Sequence, residues 1–343
     1  MNQGLLKCTC AVVLVALLGW LLYVGRPVLV PIAFGIIATY VVFGLAGLLR
    51  RIPYLGARLR AGLRYAIAAT LMLVALYLSV DLLLSDKDRL VALAPKYEAT
   101  LLLLLTKFAA LLHIETEASW TAIRRDLLAT VDVQGIITST LSSVSSLLAT
   151  IVIVLLYAAF FLVEHTKFRR KLVTFASGSP QVVSVIDEIN AKIGTYLALK
   201  ALLGAILGIV SWICMRFVGL EFAELWAVLI GLLNFIPYAG SMISVAVPTL
   251  LAALQFGQWS EAVALFFALA LANFLVGHIL DPWLMGGSLN LSPAVILMSL
   301  AVWSSIWGIA GAFLAVPITV GLIIAFCAFE STRRFAMLLT NDD

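Results

Sequence analysis

Charge is the scarcest feature of this chain. Only 12% of its 343 residues are Asp, Glu, Lys or Arg, whereas 63% are hydrophobic. A soluble domain carries about 25% charged and about 45–50% apolar residues. The composition therefore excludes a soluble domain and predicts an all-α polytopic membrane protein with about eight hydrophobic segments. The lipid bilayer is its expected partner, and a net charge of +4 is too small to indicate nucleic acid.

Residues that bind metals or perform catalysis are also scarce. The chain has three His and four Cys, and Cys8, Cys10, Cys214 and Cys327 all lie in apolar runs without zinc or disulfide spacing. The motifs G-x-x-x-x-G-K-[ST], H-E-x-x-H and G-x-S-x-G are absent from the sequence. These absences exclude a P-loop and the common hydrolase signatures. We expect no cofactor, no metal and no enzymatic activity, and any transport should be passive or driven by an ion gradient.

The few charges cluster between apolar runs and thereby predict the topology. Spans Leu5–Val24 and Pro27–Leu49 are followed by five arginines without an acidic residue, and then by a third span, Tyr65–Leu84. Because short cytoplasmic loops are rich in Lys and Arg, this loop and the N-terminus are predicted to be cytoplasmic. A second basic cluster at residues 167–171 and the pair Arg333-Arg334 predict that the C-terminus is cytoplasmic as well.

Residues 85–145 differ from the rest because they mix acidic and basic side chains. Their most apolar run, Leu101–Leu112, is too short to span a bilayer, which takes about 20 residues. We predict a small helical, extramembrane (periplasmic) insert. Its role stays open between gating, capping and oligomerisation.

The predicted organisation has five parts. Residues 1–84 hold three transmembrane helices, and 85–145 form the insert. Residues 146–195 hold a fourth span, Leu147–Val163, and an amphipathic segment, Pro180–Gly194, that should lie along the cytoplasmic interface. Residues 196–330 form a motif-bearing half that begins with the span Tyr196–Val218, and 331–343 form a cytoplasmic tail. Within that span, Gly204-x-x-x-Gly208 is a small-residue face that favours close helix packing.

Two long apolar segments of the motif-bearing half are interrupted. Leu225–Leu254 contains Asn234, Pro237, Gly240 and Pro248, and the Ala-Gly and Val-Pro pairs of this segment recur in Ser292–Phe326. Backbone groups freed by such breaks need partners inside the protein or in a water-filled cavity. Broken helices in matching positions indicate a transport site, although a kinked, packed helix is the alternative.

Each broken segment can take one of two topologies. It can cross the membrane once as a bent helix, or enter and return as a re-entrant hairpin. The loops 255–261 and 282–291 carry no Lys or Arg, so the charge rule does not decide. Segments of this length can tilt and bend, which favours eight crossings.

The polar groups near the second break suggest ion coupling. On a helix, Asn273, Gly277 and Asp281 share one face, and His278 borders it. Ionisable residues inside a membrane are costly and usually functional, and His titrates near neutral pH. A His–Asp pair can relay protons or bind a cation. Alternatively, Asp281 precedes Pro282 and simply marks the helix end at the membrane surface.

Three motifs resemble those of the AI-2E (autoinducer-2 exporter) transporter family, in the family's order. Residues 234–240, NFIPYAG, are similar to its N-F-I-P-Y-hydrophobic-G motif. Residues 281–293, DPWLMGGSLNLSP, resemble its acid-Pro-basic-hydrophobic-M-G-basic-S-L-x-L-x-P motif. Gly308–Gly311 and Ala315–Pro317 resemble its G-x-x-G…A-V-P motif. The likeness extends to the overall plan of three spans, an insert and a motif-bearing half.

The chain departs from the family pattern at three positions. Trp283 and Gly287 stand where the family usually has Lys or Arg, and Ser241 stands where Pro often follows the motif glycine. The loss of two cations beside Asp281 changes the local charge. If those cations bind an anionic solute in relatives, this chain has a different substrate.

The resemblance implies a multi-pass transporter of the bacterial inner membrane, compatible with a homo-oligomer. It would export a small solute such as autoinducer-2 or couple transport to an ion gradient. A sodium (cation)–proton antiporter and a non-transporting membrane scaffold remain alternatives. Asp281, aided by His278, is the predicted coupling group. The predicted transport path comprises Asn234, Pro237, Tyr238, Gly240, Asn273, His278, Asp281, Pro282, Gly286, Gly308, Gly311 and Pro317.

Overall fold

The computed structural model of the chain describes residues 3–51, 59–85, 149–165, 180–285 and 291–328, with isolated residues between 89 and 106 and between 167 and 174. Every secondary-structure element in these ranges is a helix, which confirms the predicted all-α class. The helices are α1 Gln3–Val24, α2 Arg26–Arg51, α3 Ala61–Ser85, α4 Ala149–His165, α5 Pro180–Val218, α6 Ala223–Leu233, α7 Ala239–Phe256, α8 Trp259–Phe274, a π-helical turn Leu275–Leu280, α9 Asp281–Met285, α10 Pro293–Trp307 and α11 Ile309–Ala328.

Several of these helices have the length and composition of membrane spans. In the described ranges, 6 are long and apolar enough to cross a bilayer, and four shorter apolar helices accompany them. The chain is thus a multi-pass membrane protein, as predicted. The six are Arg26–Arg50, Ala61–Leu82, Val183–Val218, Ala239–Phe256, Trp259–Met285 and Ile309–Ala328.

The chain folds into two compact units, each assembled from separate stretches. Unit 1 comprises Met1–Ala68, Thr150–Leu199 and Met285–Asp343, and unit 2 comprises Ala69–Ala149 and Lys200–Leu284. The five-part organisation predicted from the sequence remains a prediction. Residues 107–148 and 329–343, which hold most of the insert and the tail, lie outside the described residues.

Helix α2 lies at the centre of unit 1. A Cβ on Gly35 would lie 2.6 Å from the Tyr157 Cβ of α4, so α2 and α4 meet almost backbone to backbone. Thr39 beside it is 6% exposed and donates its hydroxyl to Gly35 O at 2.8 Å. A Cβ on Gly44 would overlap Gly194 O of α5. Small residues allow these close approaches, which is how helices pack without a hydrophobic driving force in lipid.

Helix α5 joins two segments that the sequence predicts as separate. The amphipathic segment Pro180–Gly194 and the span Tyr196–Val218 form one continuous helix of 39 residues. At 1.5 Å per residue it is roughly 58 Å long, about twice the hydrocarbon thickness of a bilayer. Proline at its first position is compatible with a helix start. The amphipathic part is therefore an extension of the span rather than an independent element.

In unit 2, α5 and α6 pack antiparallel through the predicted small-residue face. A Cβ on Gly204 would lie 2.5 Å from Gly231 O, and one on Gly208 would lie 2.8 Å from Ala227 O. The prediction that Gly204 and Gly208 allow close packing is confirmed. The partner face is also built of small residues, which lets the two backbones touch.

The first broken segment is a helical hairpin. Helix α6 has only 11 residues, or about 16 Å, too short to cross a bilayer. At the far end of α7, Gln255 Nε2 donates to Gly219 O at 2.9 Å, and Glu221 N donates to Gln255 Oε1 at 2.7 Å. Helix α6 therefore begins and α7 ends at the same end of unit 2. This arrangement differs from the single bent crossing that segment length favoured.

The second broken segment is also a hairpin, in unit 1. Helices α10 and α11 are linked by Gly308, whose φ of 63° and ψ of −140° suit glycine best. Ser292 caps α10 by accepting a bond from Val295 N at 3.3 Å. Trp303 Nε1 donates to Thr319 Oγ1 at 3.2 Å across the pair, and Trp307 Nε1 donates to Leu22 O of α1 at 2.9 Å.

Candidate functional site

The turn between α6 and α7, residues 234–238, is called the hairpin tip. Backbone bonds from Phe235 N to Leu232 O at 3.1 Å and from Ile236 N to Leu233 O at 2.9 Å tighten the end of α6. Pro237 then stops the helix because it has no N–H to donate. Gly240 is buried, and a Cβ there would overlap Leu233 O. The NFIPYAG sequence thus makes a sharp reversal whose second helix lies directly against the end of the first.

Tyr238 has a strained backbone. Its φ of 58° and ψ of −59° lie outside the regions that residues with a side chain prefer. Such a conformation costs about 1–3 kcal/mol and persists where the surroundings impose it, often at functional sites. The bonds from Gly240 N to Ile236 O at 3.0 Å and from Met242 N to Tyr238 O at 3.2 Å hold it in place. The Tyr238 side chain is exposed.

Buried polar atoms without a hydrogen-bond partner concentrate around this hairpin. Among the described residues they are Ser211 Oγ, Trp226 Nε1, Asn234 Nδ2 and Thr249 Oγ1. All four lie in unit 2, on α5, α6, the hairpin tip and α7. An unpaired buried polar group costs about 1–3 kcal/mol. Such groups are typical of places that take up water or a ligand.

Asp281 forms an ion pair with Lys200 of α5. Lys200 Nζ lies 2.6 Å from Asp281 Oδ2, and the two side chains are 13% and 22% exposed. We did not predict Lys200 from the sequence. The available signal was its position as a cation inside the apolar span Tyr196–Val218, since an ionisable residue there needs a partner. The pair joins two helices that are far apart in the sequence.

His278 has a different neighbour from the one expected. Its ring stacks on Phe274, with centroids 4.9 Å apart and planes at 16°, and the side chain is exposed. The π-helical turn Leu275–Leu280 explains part of the difference. It inserts residues relative to an α-helix, so the register that placed Asn273, Gly277 and Asp281 on one face no longer applies. The aid of His278 to Asp281 stays a prediction.

Asn273 forms a hydrogen bond with α7, the second helix of the first hairpin. Its Oδ1 accepts from Ser244 Oγ of α7 at 3.1 Å, and its Nδ2 donates to Leu269 O at 3.0 Å. Ser244 is 1% exposed. This buried polar contact fixes the register of α7 against α8, which pack as antiparallel neighbours.

The ion pair and the hairpin tip lie at the same level of unit 2. Gly204 lies opposite Gly231 in the antiparallel pair α5–α6. Lys200 precedes Gly204 by four residues, so it lies level with position 235, which follows Gly231 by four residues. Ser244 lies opposite Asn273 in the antiparallel pair α7–α8, so Asp281 is level with position 236. The π-turn changes this register by about 1.5 Å per inserted residue, less than one helical turn. Two independent helix pairs thus place both charges level with the tip.

The remaining predicted path residues divide between the units. Pro282 is exposed at the start of α9 in unit 2. Gly308, Gly311 and Pro317 belong to unit 1, where Gly311 and Pro317 are buried in α11. Gly286 lies outside the described residues.

An all-helical chain with several apolar spans, a helical hairpin and an ion pair among those helices has the features of a secondary transporter. A family model described as "AI-2E family transporter" matches residues 11–330. The chain belongs to the AI-2E transporter family, and the resemblance seen in its motifs is confirmed. It is a member of a transporter and permease family, which supports transport over the scaffold alternative.

Individual relatives agree with this membership. YhhT of Escherichia coli K12, which is named for transport, is 29% identical over 296 residues, covering 82% of this chain and 81% of YhhT. "AI-2 transport protein TqsA" of the same strain is 30% identical over 210 residues, or 60% of each chain. A Haemophilus influenzae protein, also named for transport, is 29% identical over 211 residues, again 60% of each.

Proposed function

We propose that this chain carries a small polar solute across the bacterial inner membrane, and that an ion gradient drives it. The observation that carries the proposal is the Lys200–Asp281 ion pair, at 2.6 Å, level with the hairpin tip. Asp281 is the coupling carboxylate, and Lys200 is its built-in counter-cation. Both termini face the cytoplasm, as the clusters of basic residues predict.

The proposed membrane arrangement makes α6–α7 re-entrant. Its open end, tied by Gln255 to Gly219 and Glu221, faces the side from which α6 enters. Its tip then lies within the membrane, where backbone breaks are tolerated only against protein or water. A tip at that depth can be exposed to each side in turn, as in other transporters with broken helices.

The ion pair supplies a simple coupling step. Lys200 neutralises Asp281 in the resting state, because an unpaired charge among apolar helices is expensive. When a proton or a cation binds the Asp281 carboxylate, it neutralises the negative charge that attracts Lys200. The lysine then leaves Asp281, and the contact between α5 and the start of α9 loosens. Alternating between these two states links cation occupancy to a change at the level of the tip.

The tip also offers a place for a neutral solute. Asn234 Nδ2 is a buried donor without a partner in the described part of the chain, and it can bond an oxygen atom of a solute. TqsA is named for the transport of AI-2. We therefore propose a small, oxygen-bearing solute such as autoinducer-2 as the substrate. The absence of Lys or Arg at Trp283 and Gly287 argues against a strongly anionic one.

Sodium–proton antiport is the second candidate, and the same ion pair supports it. A carboxylate whose counter-charge is an internal lysine can accept a proton and a sodium ion alternately, without any organic solute. In both candidates the proposed path includes Asn234, Pro237, Tyr238, Gly240, Asn273, His278, Asp281, Pro282, Gly286, Gly308, Gly311 and Pro317.

The test uses proteoliposomes that contain the purified protein and an internal pH dye. A sodium pulse, with choline as the control, should give a sodium-specific pH change if antiport operates. Asp281→Asn and Lys200→Met should each abolish it, while Glu188→Gln should not. Glu188 is the matched control because it forms an exposed i,i+4 ion pair with Lys192 at 2.8 Å.

A second arm addresses the solute. Vesicles preloaded with autoinducer-2 are placed under a proton gradient, and its efflux is followed. Gradient-driven efflux that is lost in Asp281→Asn supports the exporter. Wild-type responses in the folded Asp281→Asn variant, in both arms, would overturn the role of Asp281.

A further inference from the structure

The open end of the α6–α7 hairpin is joined to the extramembrane insert by a chain of hydrogen bonds. Tyr97 of the insert donates its hydroxyl to Glu221 Oε2 at 2.9 Å. Glu221 N donates to Gln255 Oε1 at 2.7 Å, and Gln255 Nε2 donates to Gly219 O at 2.9 Å. Three separate stretches, the insert, the α5–α6 turn and the end of α7, are thus connected by three side chains. This group, Tyr97, Glu221 and Gln255, is called the latch.

The surroundings of the latch are packed rather than loose. Tyr97 is 4% exposed, and so is Leu104 from the same part of the insert. Arg89 lies over the Phe222 ring, with its guanidinium carbon 5.7 Å from the centroid, close enough for a cation–π contact. Thr100 lies beside Gly257, where a Cβ would be 3.6 Å from its methyl group. The insert therefore covers the open end on the side of both α6 and α7.

The backbone beneath the latch is held in conformations that need support. Phe222 has φ 58° and ψ 29°, a left-handed conformation that is unusual for a bulky residue. Gly219 and Gly257, on either side, also have positive φ. Glycine adopts such angles without strain, but Phe222 does not, and strain of this kind persists only where neighbouring groups impose it. The Gln255 and Tyr97 bonds, together with the Phe222–Arg89 contact, provide that restraint.

We propose that Tyr97 and Gln255 are positioning residues, through which the insert holds the open end of the α6–α7 hairpin and so fixes its tip for transport. This rests on the proposed function, since it assigns the insert a role in that transport. Lys200, Asp281 and Asn234 act at the tip, whereas the latch acts at the opposite end of the hairpin. The insert is thereby a structural support for the transport path rather than a separate module.

The first test does not depend on transport. Amide hydrogen exchange of peptides that cover residues 219–222 and 253–258 is measured for the whole protein and for Tyr97→Phe. Loss of a hydrogen bond to a charged group should speed exchange roughly tenfold or more. Tyr77→Phe is the matched control, because Tyr77 is 67% exposed on α3. It should leave these peptides unchanged.

A double-mutant cycle distinguishes a direct partner from general destabilisation. In a Glu221→Leu background, Tyr97→Phe should have almost no further effect on exchange, because its partner is already lost. Glu221→Gln keeps an acceptor for the Tyr97 hydroxyl and should restore most of the protection. Equal effects of Tyr97→Phe in both backgrounds, or no effect in either, would overturn the latch.

The transport arm is measured on the same variants. Tyr97→Phe and Gln255→Met should reduce the sodium- or proton-driven flux several-fold, and Glu221→Gln should retain it. If the wild-type protein shows no flux, the proposed function fails while the exchange data still decide whether the latch exists. If exchange rises in Tyr97→Phe but flux is unchanged, the positioning role is wrong.

Discussion

The two helical hairpins, α6–α7 in unit 2 and α10–α11 in unit 1, share a glycine that lies against the end of the preceding helix. A Cβ on Gly240 would overlap Leu233 O, and one on Gly311 would overlap Trp303 O. Both glycines follow an alanine in the sequence, and both second helices contain a buried proline. The repeated Ala-Gly pair therefore marks a repeated steric solution to a sharp reversal.

The polar groups of the two hairpins are different. The tip of the first hairpin has five residues, among them the strained Tyr238 and Asn234, whose side-chain amide nitrogen has no hydrogen-bond partner. The Lys200–Asp281 ion pair lies level with this tip. The second hairpin reverses at Gly308 alone, and its Trp303 indole is paired with Thr319. No ion pair is seen within the described part of α10–α11. The repeated Ala-Gly and Val-Pro pairs therefore mark the reversal of the chain, whereas the proposed coupling pair, Lys200 and Asp281, lies level with the tip of the first hairpin.

The largest expected effect tests the shared feature. Gly240→Ala and Gly311→Ala should each lower stability by about 3 kcal/mol, because a backbone carbonyl must move to admit the new methyl group. Thermal unfolding in detergent measures the loss. Gly47→Ala is the control, since nothing lies within 4 Å of a Cβ there. It should be neutral or stabilising by up to about 1 kcal/mol. Similar melting of all three variants would show that the close approaches are not real.

The second largest effect is expected at the Lys200–Asp281 ion pair, which lies level with the tip of the first hairpin. Lys200→Met leaves a carboxylate unpaired, which costs roughly 3–5 kcal/mol when fully buried. Because these side chains are 13% and 22% exposed, we expect about 1–3 kcal/mol. The double variant Lys200→Met/Asp281→Asn should recover most of the loss in the same thermal assay. Additive losses would indicate that the two residues do not act as a pair.

A smaller effect is expected in the second hairpin. Trp303→Phe removes the bond to Thr319 and should cost about 1 kcal/mol. It should leave the sodium or proton response intact, because the proposed coupling carboxylate, Asp281, lies in unit 2 and this hairpin lies in unit 1. Thr319→Val provides the matched loss of the acceptor. A variant that keeps its stability but loses all coupled flux would extend the coupling chemistry to α10–α11.

The smallest effect concerns alkaline pH. Burial and the bond to Glu221 raise the pKa of Tyr97 well above its usual value near 10. A raised folded-state pKa means that the stabilisation is complete below about pH 10 and is lost as the pH rises further. The stability gap between wild type and Tyr97→Phe should therefore stay constant up to that pH and then narrow. The Trp303–Thr319 contact does not titrate, so the corresponding gap for Trp303→Phe should not change.

Most of the fold was predicted from the apolar runs and from the Arg, Pro and Gly residues that separate or interrupt them. Helices α1, α2 and α3 follow from apolar runs that arginines separate, and Pro237 and Gly240 predicted the first break. The continuous helix α5 was not predicted, because its amphipathic and apolar parts differ in composition but not in helix propensity. The hairpin form of Leu225–Leu254 was one of the two alternatives that the sequence left open, and segment length favoured the other. The hairpin form depends on Gln255 meeting the α5–α6 turn, a contact that no local pattern contains.

The candidate site was predicted only in part. Asp281 and Asn234 were found because they are polar groups in apolar surroundings. Lys200 was missed because it lies 81 residues from Asp281 in the sequence, and only the packing of α5 brings them together. His278 was assigned to Asp281 on α-helical spacing; its ring stacks on Phe274, and its aid to Asp281 stays a prediction. Pairings of this kind depend on tertiary register, which spacing alone does not supply.

The most direct test of the proposed re-entrant hairpin is to measure on which side of the membrane its two ends lie. Single cysteines replace Arg216 and Gln258, both exposed, in a background without the four native cysteines. A membrane-impermeant maleimide is applied to right-side-out and to inverted vesicles, and a cysteine at Arg50 reports the opposite face. If α6–α7 is re-entrant, positions 216 and 258 react from the same side. Reaction from opposite sides would mean that α6–α7 crosses the membrane, and it would contradict the proposed re-entrant arrangement.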